Sequence, residues 1–325
     1  MDDLLVIGKI SEEAEIRLKA QFILHKSTEI ADFDAFIKEF GHRIKAISTN
    51  GFVGAKKELI LKLKNLKIIS SNGVGYDAID TEACVSREII VTHTPDVLNA
   101  EVANTTVMMF LNSFREFTLN EEHVRSRRWA TEGMAPFSRS PDNRVVGIIG
   151  MGRIGMEIAK RLSIFNPSIL YHSRTPKEVP YKYYADLKDM AKDSEVLICI
   201  TPGGKATSKI VNIDIINALG PEGTLINVAR GSVVDEDALV LALEEGRLGY
   251  AALDVFEKEP KVPEKLLKMP NVVLLPHVGS ATFETRKAMS NLTVDNLLNF
   301  KENGTPLTPV PECLHLVQST PENSK

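Results

Sequence analysis

Long uninterrupted apolar runs are missing from this 325-residue chain, and so is any basic segment ahead of one. Its longest apolar stretches fall short of the roughly 20 residues a bilayer-spanning helix needs. The start, Met1-Asp2-Asp3, lacks the positive charge of a secretory leader. Neither membrane insertion nor export is expected, and the expected compartment is the cytoplasm. Cysteine is scarce. Cys84, Cys199 and Cys313 are odd in number and share no C-x-x-C spacing, which argues against a disulfide framework or a structural zinc site. They are expected as buried or free thiols, and no metal site is expected. A basic excess is lacking too: a net charge of −4 offers no broad surface to nucleic acid. The local cluster Arg125, Arg127 and Arg128 reads as a solvated helix end. What remains, 43% hydrophobic and 25% charged residues, fits a soluble protein of one or two domains with sizeable cores.

Against this background the run Val145-Val146-Gly147-Ile148-Ile149-Gly150-Met151-Gly152-Arg153-Ile154-Gly155 stands out. Its β-branched apolar part reads as a strand buried on both faces. Ile154, Ile158 and Leu162 follow at helical spacing, with Lys160 and Arg161 on the other side. A strand therefore turns sharply into a helix through G-x-G-x-x-G. Gly150 permits the turn, Gly152 lets the backbone approach a diphosphate, Gly155 lets the helix pack close, and the helix N-terminus attracts the anion. Ile169 to His172 supplies the next strand at βαβ spacing, which lifts the triplet above a bare structural turn.

Ahead of the fingerprint, short apolar runs at Leu4 to Ile7, Phe22 to His25, Ile44 to Ser48, Ile68 to Ser70 and Ile89 to Thr92 alternate with amphipathic stretches. They form a βα repeat of their own. A long apolar helix from about Ala100 to Phe117 follows, then a polar stretch with Trp129, Pro136 and Pro141 and no clear periodicity, read as an arm or loop. Behind the fingerprint lie strand candidates at Val196 to Ile200, Leu225 to Val228, Tyr250 to Val255 and Val272 to Leu275. A last helix, about Phe283 to Phe300, is not needed by that sheet and is expected to return to the first domain. The expected division is residues 1–99 with 288–325, and 100–287.

Asn227-Val228-Ala229-Arg230-Gly231, Asp254-Val255-Phe256-Glu257-Lys258-Glu259-Pro260 and Pro276-His277-Val278-Gly279-Ser280-Ala281-Thr282 occur in this order behind the fingerprint. With it they resemble the D-2-hydroxyacid dehydrogenase family. Within that family, the tail from His277 to Arg286 and Thr94-Pro95-Asp96-Val97-Leu98 are most similar to glyoxylate/hydroxypyruvate reductases. The resemblance implies an α/β fold: a doubly wound parallel-sheet (Rossmann) cofactor domain over 100–287 and a smaller flavodoxin-like α/β substrate domain from the remainder. It implies substrate contacts at Val74 and Gly75, whose backbone N–H groups grip the carboxylate. Cofactor contacts are implied at Gly150, Gly152, Arg153, Ile154, Gly155, Ser173, Arg174, Thr175, Thr201, Pro202, Thr207, Val228, Ala229, Asp254 and Gly279. It further implies a homodimer built through the arm and the long helix.

The side chains fit that chemistry, because reducing a 2-keto acid needs a grip on the carboxylate, a proton donor at the ketone oxygen and a hydride source. Arg230 offers a planar, permanently charged fork. His277 can give a proton to the forming alkoxide and take it back. Glu259 would orient His277. His25, His42, His93, His123 and His172 lie outside the motifs and are read as structural. Trp129 is balanced between packing and a reach into a partner's site.

After the second strand, an NAD-selective pocket would place an acid against the ribose 2′-hydroxyl. Here His172-Ser173-Arg174-Thr175 has no carboxylate, and Arg174 with its hydroxyl neighbours can grip a 2′-phosphate, so NADPH is the expected cofactor, with NADH possible. Pro202-Gly203-Gly204-Lys205-Ala206-Thr207 departs from the leucine-containing loop common in the family, which leaves substrate range open. Glu259 and the chain's length disfavour formate dehydrogenases and the larger phosphoglycerate dehydrogenases. The competing reading is a dinucleotide-sensing binding protein that acts through protein partners. It is disfavoured because only the proline-containing tail from Thr305 to Lys325 follows the last helix.

Overall fold

A computed structural model describes residues 1–318. The chain divides into two compact units, one of Met1–Leu98 with the chain from Thr282 onward, the other Asn99–Ala281.

In the first unit β1 (Asp2–Val6), α1 (Glu12–Lys19), β2 (Phe22–Lys26), α2 (Phe33–Phe40), β3 (Ile44–Asn50), α3 (Lys57–Lys62), β4 (Ile68–Asn72), α4 (Thr81–Val85) and β5 (Ile90–Thr92) alternate. The strands form one parallel sheet in the order β2-β1-β3-β4-β5, the flavodoxin-like arrangement. Their apolar runs are nearly unbroken because successive residues feed opposite faces. Leu4, Val6, Ala46 and Ile68 enter one core, while Leu5, Ile7, Ile47 and Ile69 enter the other. Ser11, Asp32 and Asp80 start α1, α2 and α4 by accepting the N–H groups of Ala14, Ala35 and Ala83.

The second unit runs through α5 (Asn99–Arg115), α6 (Phe117–Arg125), α7 (Arg128–Glu132), β6 (Val145–Ile149), α8 (Arg153–Leu162), β7 (Ser168–His172), β8 (Lys182–Tyr183), α9 (Leu187–Lys192), β9 (Val196–Cys199), α10 (Ile213–Leu219), β10 (Thr224–Asn227), α11 (Glu236–Glu244), β11 (Tyr250–Leu253) and β12 (Val272–Leu274). Seven parallel strands in the order β12-β11-β10-β9-β6-β7-β8 make a doubly wound sheet. The chain leaves β6 in one direction and returns to β9 on its other side, so a crevice opens there beyond the strand C-termini. Two expectations need correction. The stretch read as irregular arm or loop contains α6 and α7, with Trp129 inside α7. The long helix stops at Arg115, because Glu116 takes a left-handed conformation and a new helix starts at Phe117.

The chain then re-enters the first unit with α12 (Phe283–Asn303) and α13 (Leu314–Gln318). Val294 and Leu297 of α12 pack with Leu4, Val6 and Ile68. The units part at Thr282, ahead of the expected 287/288 boundary, because the Thr282 hydroxyl accepts the Thr285 N–H and makes α12 one continuous element. The expected tail is described only as far as Gln318, and its remainder lies outside the described residues. No helix among the described residues is long and apolar enough to cross a membrane. All three cysteines are free thiols and buried.

Candidate active site

The implied cofactor and catalytic residues of the second unit all follow the C-terminal ends of strands in one sheet. Gly150 has φ +108 and lies over the β9 exit, where an added Cβ would meet the Ile200 carbonyl at 2.8 Å. At Gly155 the same atom would meet the Gly150 carbonyl at 2.2 Å, so α8 approaches β6 as closely as only glycine allows. Gly152 caps α8 with no side-chain hydrogen bond and open space where a Cβ would stand. Arg153 and Ile154 occupy the first turn of α8. Beside them Thr201 Oγ1 is buried without a hydrogen-bond partner in the structure. An uncapped helix start, an open glycine and an orphaned hydroxyl on adjoining loops fit a diphosphate, which supplies acceptors to each.

After β7, Ser173 is half-buried and Arg174 and Thr175 are exposed. The Ser173 hydroxyl donates to the Thr175 carbonyl at 2.7 Å, which tightens the turn that presents Arg174. Thr207 Oγ1 donates to the Pro202 carbonyl at 2.6 Å and so closes the loop after β9.

The segment after β10 is held by Asn227, a buried residue whose Oδ1 accepts the Ala229 N–H at 3.1 Å and whose Nδ2 donates to the Arg230 carbonyl at 3.0 Å. Val228 and Ala229 are buried beneath this turn, and Arg230 is half-buried at its exit. Gly231 then passes so close to the loop after β11 that a Cβ would lie 1.9 Å from the Phe256 carbonyl carbon. That contact brings the Arg230 segment against the Glu259 segment.

His277 Nδ1 donates to Glu259 Oε2 at 2.8 Å, and Glu259 Oε1 accepts the Phe256 N–H at 3.1 Å. Since the carboxylate only accepts, Nδ1 carries the proton. Burial pushes the Glu259 carboxyl up. The hydrogen bond and charge of His277, the Phe256 N–H and the Arg230 charge outweigh burial and hold it below its ordinary value. His277 has φ +53, a left-handed conformation uncommon for a non-glycine residue. Asp254 holds it there: its carbonyl accepts the His277 N–H at 2.8 Å, and its carboxylate accepts the N–H groups of Val278 at 2.7 Å and Gly279 at 2.9 Å. Burial drives the Asp254 carboxyl upward against those two bonds. Asp254, expected as a cofactor contact, clamps the histidine turn through these bonds. Gly279 spends its N–H on Asp254, and its carbonyl accepts the Thr105 hydroxyl of α5 at 3.2 Å.

Val74 and Gly75 lie in the first unit, in the loop that follows β4. Asn227 as a clamp and the Phe256 N–H as the second anchor of Glu259 are not among the roles expected from the sequence. A buried amide closing an apolar strand was the available signal for Asn227; a backbone donor leaves none. Of the histidines outside the motifs, His25 bonds Asp3 Oδ1 at 2.7 Å, His93 the Val74 carbonyl at 3.0 Å, His123 the Gly133 carbonyl at 2.8 Å and His172 the Tyr184 carbonyl at 3.0 Å.

Residues 107–279 match the family described as D-isomer specific 2-hydroxyacid dehydrogenase, NAD binding domain. The chain is 43% identical over 307 residues to glyoxylate/hydroxypyruvate reductase A of Arabidopsis thaliana, covering 94% of this chain and 98% of that protein. It is 39% identical over 309 residues to 2-ketogluconate reductase of Gluconobacter oxydans, covering 95% and 98%. Among solved structures, the NADPH-dependent glyoxylate/hydroxypyruvate reductase of Sinorhizobium meliloti in complex with NADP and malonate superposes with a TM-score of 0.91 at 46% identity, covering 96% of this chain and 97% of that one. A match across the cofactor unit, relatives aligned over nearly the whole length and a His277–Glu259 pair on a doubly wound sheet place this chain in the D-isomer specific 2-hydroxyacid dehydrogenase family.

Proposed function

We propose that the chain is an NADPH-preferring reductase of small 2-keto acids, glyoxylate and hydroxypyruvate foremost, forming the D-2-hydroxy acids. The observation that carries the reading is the His277 Nδ1 bond to Glu259 on the unit that also holds the dinucleotide cradle. With Nδ1 committed to Glu259, the proton given to the ketone oxygen leaves from Nε2, and the ionised carboxylate balances the imidazolium before transfer. Arg230 holds the substrate carboxylate or carbonyl oxygen by charge-assisted hydrogen bonds, and the Val74 and Gly75 N–H groups hold the carboxylate. Gly150, Gly152, Gly155, the first turn of α8 and Thr201 would hold the dinucleotide, which when bound supplies the hydride for the keto carbon. Asp254 keeps the turn of His277 rigid, so the proton donor does not reorganise during the reaction. The names of the relatives span glyoxylate, hydroxypyruvate and 2-ketogluconate, which share the 2-keto carboxylate these residues address. NADPH preference is supported by Arg174, by the absence of an acid after β7 and by the NADP in the S. meliloti structure. The protein acts in the cytoplasm as a homodimer in this reading.

The test is the steady-state rate with hydroxypyruvate at matched subsaturating NADPH and NADH, for the wild type and Arg174→Ala. Faster NADPH oxidation by the wild type is expected. The substitution should lower kcat/KM for NADPH by about 10- to 100-fold, the weight of a charge-assisted phosphate contact, and leave NADH unchanged. Turnover favouring NADH would remove the phosphate pocket and keep the dehydrogenase. NADPH binding with no turnover of any 2-keto acid would overturn the enzyme reading in favour of a dinucleotide-sensing protein.

A further inference from the structure

The loop from Gly73 to Asp77 has no regular structure to fix it, yet it carries the two N–H groups assigned above to the substrate carboxylate. A trans peptide is planar, so a carbonyl held on one side sets the direction of the N–H on the other. The Val74 N–H shares its plane with the Gly73 carbonyl, which accepts the Thr94 N–H at 2.9 Å. The Gly75 N–H shares its plane with the Val74 carbonyl, which bonds His93 Nδ1 at 3.0 Å. Adjacent residues at the exit of β5 therefore aim both donors, one through backbone and one through a side chain.

From these contacts we infer that His93 is a positioning residue for the substrate carboxylate, orienting the Gly75 N–H through the Val74 carbonyl; the inference rests on the reading of Val74 and Gly75 as the carboxylate grip. The acceptor is a carbonyl, so Nδ1 carries the proton in both the neutral and the charged ring. The backbone that carries the imidazole is itself braced. The His93 N–H donates to the Thr308 carbonyl at 3.2 Å, and the His93 carbonyl accepts the Thr308 hydroxyl at 2.6 Å. Asn296 of α12 holds Thr308 through its N–H and its hydroxyl, each at 2.8 Å. The His93 ring meets Tyr76 edge-on with centroids 5.3 Å apart, and the Tyr76 hydroxyl donates to Glu312 at 3.0 Å. The chain after α12 thus holds His93 through Thr308 and Tyr76 through Glu312, and His93 is the point where that bracing reaches a substrate-facing peptide.

A carboxylate keeps its charge and place from ground state to transition state, so a looser grip weakens binding uniformly and leaves the chemical step alone. His93→Ala and His93→Phe should each raise KM for hydroxypyruvate about 5- to 10-fold, the weight of one oriented hydrogen bond, with kcat within about two-fold. The Kd of oxalate, titrated into the NADPH-loaded protein, should rise in parallel, and the Kd of NADPH should stay unchanged. Phe keeps the ring against Tyr76 and lacks the donor. His93→Asn places an amide N–H near the position of Nδ1 and should restore both constants. Wild-type KM and oxalate affinity in His93→Phe, or no rescue by His93→Asn, would overturn the positioning role. A Gly75→Pro variant, which deletes the N–H itself, separates the two readings. If it alone loses oxalate affinity, the carboxylate grip stands and His93 does not act through it. If wild-type protein neither reduces a 2-keto acid nor binds oxalate, both readings fall.

Discussion

Glu259 accepts from His277 on one oxygen and from the Phe256 backbone on the other, so its ionised form is satisfied twice in the folded chain. Its carboxyl lies below its ordinary value of 4.5 despite the upward push of burial. A folded value below the unfolded one stabilises the protein above the unfolded value, and that contribution is lost as pH falls through the folded one. Glu259→Gln should therefore lower Tm at pH 7. The gap to wild type should close in thermal scans stepped below about pH 4.5, the ordinary carboxyl value, as the wild-type acid protonates. A gap independent of pH would mean that the two bonds, not the charge, carry the effect. The same variant keeps an acceptor for Nδ1–H and loses the charge that balances an imidazolium, so kcat should drop by roughly 10- to 100-fold. His277→Asn suits the left-handed backbone at φ +53. It should lower kcat by about 100-fold or more with NADPH binding intact in fluorescence titrations. A rate near wild type would remove His277 from proton transfer.

At the scale of elements, the step from β6 into α8 depends on Gly155. A Cβ there would stand 2.2 Å from the Gly150 carbonyl. Backbone cannot yield as a flexible side chain does, so Gly155→Ala must push α8 off the strand end, carrying its N–H groups with it. NADPH affinity should fall at least about 10-fold and Tm should drop, since overpacking of this kind costs about 1–3 kcal/mol. Unchanged Kd in a fluorescence titration would show that the helix start does not hold the diphosphate. This step was legible in the sequence because an apolar run buried on both faces is nearly continuous and its glycines have a fixed order. Other elements carried no such mark. The edge strand β8 pairs only Lys182 and Tyr183 with β7, too short for any periodicity. Helices α6 and α7 start at Glu116 and Arg127, both left-handed and neither giving a side-chain cap, so the usual start signals are absent. Motif residues Arg230, Glu259 and His277 could be named in advance. The side chains of Asn227 and Asp254 clamp the segments of Arg230 and His277 by bonding their backbone groups, and backbone partners leave no mark in a sequence pattern.

One long helix with no strand behind it, α12, marks in the sequence a first domain interrupted by the second. The apolar surface that folding leaves exposed has no such mark in the sequence. Phe117, Trp129, Met134 and Phe137 all stay largely exposed within α6, α7 and the chain just after them, Phe137 at 94%. The same unit carries a groove of about 470 Å³ whose lining mixes apolar Leu119, Tyr250 and Met269 with polar Asn112, Glu116 and Lys268. In the homodimer proposed above, a two-fold pairing would let each copy offer both the projecting residues and the surface that receives them. In a two-fold interface every substitution occurs twice. Burying one Phe or Met side chain contributes about 1.5–3 kcal/mol, so Phe137→Asp with Met134→Asp should raise the dimer Kd by well over about 100-fold. Sedimentation at micromolar concentration is expected to give a dimer for the wild type and a monomer for the double variant, each retaining NADPH binding because the residues of the dinucleotide cradle are untouched. A wild type that sediments as a monomer would show that these side chains are exposed for another reason, and the homodimer would have to be given up.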